Sequence, residues 1–169
     1  MSVIFSLFPN VSVLPIQKGA DNPILRKKGA KVPEVTKALR KLIKNMRETV
    51  KEEDGAGLAA PQIGESLQLC LALIEGKMTV LINPEIAWKS GETHVEEEGC
   101  LSLPGLQVPV ARPISITVKF LNEKGASQEL KLTDFSARTV QHELDHLNGI
   151  LIVDYLSADQ MLPKMEQTA

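Results

Sequence analysis

No stretch of this sequence approaches the ~18 consecutive apolar residues that a membrane-spanning helix requires, so no such span is expected. The mildly apolar start, MSVIFSLFPNVSVLPIQKG, has no basic stretch ahead of its apolar run. Pro9 interrupts it and no small-residue cleavage site follows, so it does not read as a signal peptide. Cysteine is equally scarce. Two residues, Cys70 and Cys100, cannot build a disulfide framework in a chain of 169 residues; they fit a reducing compartment, where a cysteine is more often buried, catalytic or metal-bound. The expected location is therefore the cytoplasm. There is no excess of positive charge either: the net charge is -2, which gives no reason to expect a nucleic-acid-binding surface. No repeat and no low-complexity segment is present. What remains is an ordinary globular composition, 43% hydrophobic and 24% charged, at a length that suits one domain with a sizeable core.

Two long segments carry helical periodicity. In PEVTKALRKLIKNMRETVKEEDG, Val35, Leu39, Leu42, Ile43, Met46 and Val50 recur at steps of three and four, which predicts an amphipathic helix with Pro33 in its first turn and Gly55 at its exit. The second is TDFSARTVQHELDHLNG. Thr133, Asp134 or Ser136 would cap its start, Asn148-Gly149 would end it, and Val140, Leu144 and Leu147 form its apolar stripe. Between them, LQLCLALI and MTVLI read as strands joined by a turn at EGK, with extended chain continuing to Trp88. PISITVKFL and SQELKL read as a hairpin. GAGLAAPQIG reads as a shaped loop, GETHVEEEGCLSLPG as an irregular bridge, and LIVDYL as the start of a strand before a short final turn or helix limited by Pro163. The strands cluster and do not alternate with helices, so the expected class is α+β with antiparallel sheet.

Histidine is the third scarcity. There are only three, and two of them, His142 and His146, stand four residues apart with Glu143 after the first. On a helix, i and i+4 share one face. HELDH thus satisfies H-E-x-x-H, which supplies two imidazole ligands and a carboxylate base in zinc hydrolases. A catalytic metal needs a third protein ligand and an open position. Cys70, flanked by leucines in LQLCLALI, reads as a small core residue. Cys100, presented between Gly99 and Leu101 in EEEGCLSLPG, is poorly explained by packing and is the better ligand. His94 reads as a solvent-exposed histidine. Asp154, Asp159 and Glu166 are downstream alternatives for the third ligand. Asp145 would orient a metal ligand or pair with Arg112 or Arg138. GAGLAAPQ has no phosphate-loop lysine; its glycines would let substrate backbone come close, and Gln62 would aim an amide donor into the cleft.

Together, GAGLAAPQ, EGCLS and HELDH resemble the three motifs of the peptide deformylases: G-x-G-x-A-A-x-Q, E-G-C-x-S and H-E-x-D-H. All three are complete and in the family's order. The flanking segments NPILRKKGAKV, VLINPEI, KSGET, VPVARP and DHLNGILIVDYL resemble the family too, with Asn22 where an aspartate is common. The likeness covers about residues 13 to 157. It leaves residues 1–12 as an N-terminal extension, residues 13–169 as a single catalytic domain, and a short tail after Leu156.

The resemblance implies an α+β fold, antiparallel sheets around a central helix that carries HELDH. It implies a metal-dependent hydrolase that removes the formyl group from N-terminal formylmethionine. Cys100, His142 and His146 would bind one divalent ion, Fe(II) in cells, with zinc, nickel or cobalt as substitutes. Glu143 would be the acid/base, Gln62 and the Leu101 backbone N–H would donate to the oxyanion, and Gly55, Ala56, Gly57 and Gly99 would line the peptide groove. The helix residues around Val140 and Leu144 would line the pocket for the methionine side chain. The implied partners are formylated nascent peptides at the ribosome, with no membrane and no direct nucleic-acid contact. The implied state is a monomer in the cytoplasm, of bacterial type, with an organellar or viral source left open. Two other readings compete: a zinc endopeptidase using HELDH with a downstream carboxylate, and a silent module that grips peptide N-termini. The second has no need of Glu143.

Overall fold

The computed structural model describes residues 13–157. Its elements run α1 (Lys37–Glu52), β1 (Gly57–Ala59), β2 (Leu69–Ile74), β3 (Lys77–Lys89), β4 (Thr93–Cys100), β5 (Leu103–Pro113), β6 (Ser115–Leu121), β7 (Ser127–Thr133) and α2 (Asp134–Leu147). Short 3-10 turns follow β1, at Ala60–Ile63, and α2, at Ile152–Tyr155. Five strands pair antiparallel in the order β1-β2-β3-β6-β7, and β4 and β5 form a separate hairpin. The expected α+β class with antiparallel sheet holds.

Strand alternation decides where the helices lie. Along β2, Cys70, Ala72 and Ile74 point to one face of the sheet and Leu69 and Leu71 to the other. The first face, with Leu81, Ile116 and Val118, packs against Ala137, Val140, Leu144 and Leu147 of α2. The second, with Val80 and Ile82, packs against Leu39, Leu42, Ile43, Met46 and Val50 of α1. Leu25, Leu103, Val108, Val110, Leu151 and Ile152 form a third cluster under the hairpin. So α2 sits between the sheet and the hairpin, the central position expected for the HELDH helix. Each large side chain buried this way contributes roughly 1.5–3 kcal/mol. Cys70 is fully buried and burial, then the charge of Glu143, pushes its thiol pKa up, as a core cysteine requires.

Several boundaries differ from expectation for local reasons. α1 begins at Lys37, not near Pro33, because the Thr36 hydroxyl accepts the Leu39 N–H at 3.1 Å and caps the helix there. Of the three cap candidates for α2, Thr133 takes the position without a side-chain bond, while Ser136 instead accepts from the Glu75 N–H. GAGLAAPQIG is not all loop; Leu58 pairs with Leu71 as an edge strand. The acidic bridge is a hairpin, with Glu96 opposite Val110 and Cys100 opposite Leu103. LIVDYL does not continue as a strand. The Asp154 carboxylate accepts from the Leu151 N–H at 2.9 Å and pairs with Arg26 at 2.6 Å, which curls the chain into a 3-10 turn. Residues 1–12, Asp159, Pro163 and Glu166 lie outside the described residues. No helix among the described residues is long and apolar enough to cross a membrane.

The C-terminal end of α2 is fixed on the sheet by Gln68, whose Nε2 donates to the Leu147 carbonyl at 2.9 Å and to Gly29 at 3.0 Å. Gly149 then turns the chain away with φ +74°, and a Cβ there would collide with the Arg26 carbonyl. Gly76, in the β2–β3 turn, has φ +79° but open space around it. Gly76→Ala is expected to cost only the left-handed backbone term, about 1–2 kcal/mol. Gly149→Ala is expected to cost about 1–3 kcal/mol more through the added clash. Urea unfolding of both variants reads the difference, and equal losses would contradict this account of the α2 exit.

Candidate active site

The i, i+4 spacing on α2 brings His142 and His146 to one side, with ring centroids 5.0 Å apart. Cys100, the last residue of β4, places its Sγ 3.2 Å from His146 Nε2. The three donor atoms lie within 4.8 Å of one another. Asp154, an alternative ligand from the sequence, is held away by Arg26, and His94 is exposed beside Glu96. Cys100 is thus the cysteine that the fold brings to His142 and His146.

Behind His142 lies Glu98, to which the sequence assigned no role. The Glu98 carboxylate accepts from Arg112 Nε and Nη2 (2.6 and 2.9 Å), from Arg138 Nη1 (2.7 Å) and pairs with His142 Nδ1 (3.0 Å). Burial alone would raise its pKa, but the bonds from Arg112 and His142 win and hold it down at about 2. The missed signal was strand alternation: once GETHVEEEGC is read as a strand, residues i and i+2 share a face, so Glu98 travels with Cys100. Asp145 pairs with Arg112 at 2.9 Å, as one expectation had it, and Arg138 goes to Glu96 and Glu98 instead.

Glu143 is 3% exposed, and its Oε2 is buried without a hydrogen-bond partner. Burial pushes its carboxyl up to about 7, against the pull of His142 and Arg112. Gly57 makes room for it, since a Cβ there would fall on the Glu143 carboxylate. Gln62 is fixed by its own carbonyl: Oε1 accepts the Ala59 N–H at 2.9 Å. That leaves Nε2 directed at Ser102 Oγ (3.1 Å) and Cys100 Sγ (3.8 Å). Leu101 follows Cys100 in the β4–β5 turn, with its side chain against Gly55. At Gly99 a Cβ would crowd the Gln107 amide.

These residues surround a cleft of about 410 Å³. Gly55, Ala56, Gly57, Gln62, Gly99, Cys100, Leu101, His142 and Glu143 all line it; His146 sits buried beneath. Val140 and Leu144 do not line it, contrary to expectation. They belong to the stripe packed on the sheet, whereas Phe135, Arg138, Thr139 and His142 form the stripe that faces the cleft. Phe135, 56% exposed, with Leu103 and Leu106 of the hairpin, supplies the apolar wall instead.

The residues fit a metal ion. A thiol and two imidazoles make a donor set suited to zinc or a first-row transition metal. Burial, then His142 and Arg112, hold the His146 pKa well below its usual value, so that imidazole keeps a free lone pair. Burial would lower His142 as well, but Cys100 and Glu98 hold it up at about 10: positive charge is favoured at this spot.

The sequence model of one family, described as polypeptide deformylase, matches residues 13–161. A peptide deformylase of Pseudothermotoga lettingae is 46% identical over 139 residues, covering 82% of this chain and 81% of the relative. The crystal structure of peptide deformylase from Thermotoga maritima superposes with a TM-score of 0.82 at 42% identity, covering 86% of this chain and 98% of that one. A Met-Ala-Ser-bound class I type b peptide deformylase from Acinetobacter baumannii gives a TM-score of 0.82 at 36% identity, over 85% of this chain and 98% of the other.

Because Glu98 neutralises a buried arginine that is only 4% exposed, Glu98→Gln is expected to lower the unfolding free energy by about 3–5 kcal/mol. Denaturant unfolding measures this. A loss below about 1 kcal/mol would match a surface pair and contradict the role given to Glu98.

Proposed function

Since the chain belongs to the polypeptide deformylase family, and is therefore a metal-dependent hydrolase that removes the formyl group from N-terminal formylmethionine, we propose that Cys100, His142 and His146 hold its metal and Glu143 moves its protons. The observation that carries this reading is the convergence of those three donor atoms within 4.8 Å beside the unpartnered Glu143 Oε2. When bound, such an ion lowers the pKa of a water from 15.7 toward about 7. Glu143 would take the proton of the water that attacks the formyl carbon, and its buried carboxyl, pushed up to about 7, suits both taking and returning a proton at neutral pH. The formyl oxygen gains negative charge as its carbon becomes tetrahedral. Gln62 Nε2, held donor-inward by Ala59, and the backbone N–H of Leu101 donate to it. Glu143 then passes its proton to the departing amine, leaving formate and a free N-terminal methionine.

Gly55, Ala56, Gly57 and Gly99 border the groove for the peptide backbone, and Phe135, Leu103 and Leu106 receive its apolar side chain. The Met-Ala-Ser peptide in the Acinetobacter baumannii structure supports this reading of the cleft. We assign iron(II) as the ion in cells, with zinc, nickel or cobalt able to replace it. The partner is the formylated nascent peptide at the ribosome, the protein acts as a monomer in the cytoplasm, and no membrane or nucleic-acid contact is involved. Residues 13–169 form one catalytic domain and residues 1–12 an extension, a division supported by the family match that starts at residue 13.

Two substitutions test the assignments. Gln62→Glu keeps an acceptor for the Ala59 N–H but removes the inward donor, and is expected to lower kcat for formate release by at least about 10²–10³. Unchanged kcat would remove Gln62 from the mechanism. Cys100→Ser is expected to lose the bound metal and, with it, deformylation. Full activity in that variant would favour an endopeptidase-type site that takes its third ligand elsewhere.

A further inference from the structure

The mechanism leaves one linked set of polar groups unused, buried at Arg112 and reaching the surface at Tyr155. On the far side of His142 from the groove, Asp145 and Tyr155 line a separate cleft of about 590 Å³ that Arg112 also reaches. Tyr155 donates its hydroxyl to Asp145 Oδ2 at 2.7 Å, and Arg112 Nη1 donates to the same oxygen at 2.9 Å. The remaining edge of the guanidinium, Nε and Nη2, is spent on the two oxygens of Glu98. Glu98 Oε2 in turn meets His142 Nδ1. The Arg112 guanidinium also lies 5.1 Å from the Tyr155 ring centroid.

The path has a closed form. It leaves α2 at His142, crosses to the hairpin through Glu98 and Arg112, and returns to α2 at Asp145, one turn on. A guanidinium held on one side can slide along its carboxylate. One held by two carboxylates at fixed points cannot, because its five donors lie in one rigid plane. The imidazole of His142 is thereby set relative to its own helix. With Nδ1 engaged, Nε2 is the nitrogen left for a ligand bond. Tyr155 adds the turn after α2 to the same brace.

We propose that Arg112, Asp145 and Tyr155 are positioning residues for the metal centre: they lock Glu98, Glu98 orients His142, and the integrity of this relay sets how slowly a bound ion leaves. The inference rests on Cys100, His142 and His146 being the ligands.

The test loads the parent protein with cobalt(II) and measures the rate of its transfer to excess chelator, together with its visible absorption. Tyr155→Phe, which removes one hydroxyl from the surface end of the relay, is expected to release cobalt about 2–10-fold faster. Asp145→Asn and Arg112→Lys, which break the two-ended hold, are expected to release it about 10–100-fold faster, with shifted cobalt bands. Lysine gives no rescue, since one ammonium cannot span both carboxylates. Val80→Ala serves as the control. It loosens the apolar cluster under α1, on the other face of the sheet, and is expected to lower Tm without changing the release rate. Should Arg112→Lys fail to fold, Tyr155→Phe still decides. Relay variants that release cobalt no faster than the parent, or only as fast as Val80→Ala at equal loss of Tm, overturn the relay alone. A parent that takes up no cobalt overturns the ligand assignment and the relay together.

Discussion

One buried carboxylate joins the two halves of the candidate active site. The thiol comes from a hairpin and the imidazoles from a helix, and these two elements carry no continuous backbone pairing with each other. Glu98 spans them: it takes the guanidinium of Arg112 from its own hairpin and the side chains of Arg138 and His142 from α2. A carboxylate taken out of water costs several kcal/mol unless it is neutralised and hydrogen-bonded. Here every nearby donor is charged or chargeable, so the hairpin has one favourable seat on the helix. The net stability of such a cluster is small by comparison with an apolar core, and its contribution lies in placement. A shift of the hairpin would separate Cys100 from His146 and strip Glu98 of its partners at once.

The reactive side of the site shows the opposite economy. Glu143 Oε2 and His146 Nδ1 are buried without partners, a condition that folded proteins rarely tolerate. The cost is offset by apolar packing on both faces of the sheet and beneath the hairpin. In return, Glu143 holds a carboxyl whose pKa stands near 7, in a space kept open by the missing side chain of Gly57. The Gln62 amide has one orientation because the Ala59 N–H donates to its Oε1, and the amide nitrogen could not accept that bond. Structure and chemistry are thus set by the same few contacts.

The parts of this arrangement legible in the sequence were those with a fixed local period. HELDH could be placed on a helix because four residues make one turn, and Cys100 stood out because glycine-flanked exposure is a poor reason for a cysteine. The hairpin was not legible. Glu96 and Glu98 fall on the same strand face, but one is exposed and the other is buried in an ion cluster, so the in-and-out polarity that marks a strand is erased. The expectation that Val140 and Leu144 face the cleft failed for a related reason. Val140 and Leu144 are the apolar residues of α2, but apolar residues there serve the sheet, and the cleft is faced by Phe135, Arg138, Thr139 and His142. LIVDYL had a strand's composition, and two bonds to Asp154 overrode it.

The most direct measurement is formate release from formyl-Met-Ala-Ser by protein purified without oxygen, with metal content determined on the same samples, beside Glu143→Ala. The account requires about one metal ion per chain in both proteins, release of formate by the parent, and its loss in the variant. A variant that still releases formate at the parent's rate with its metal in place would contradict the role of Glu143. A metal-loaded parent that releases none would contradict the deformylase mechanism itself.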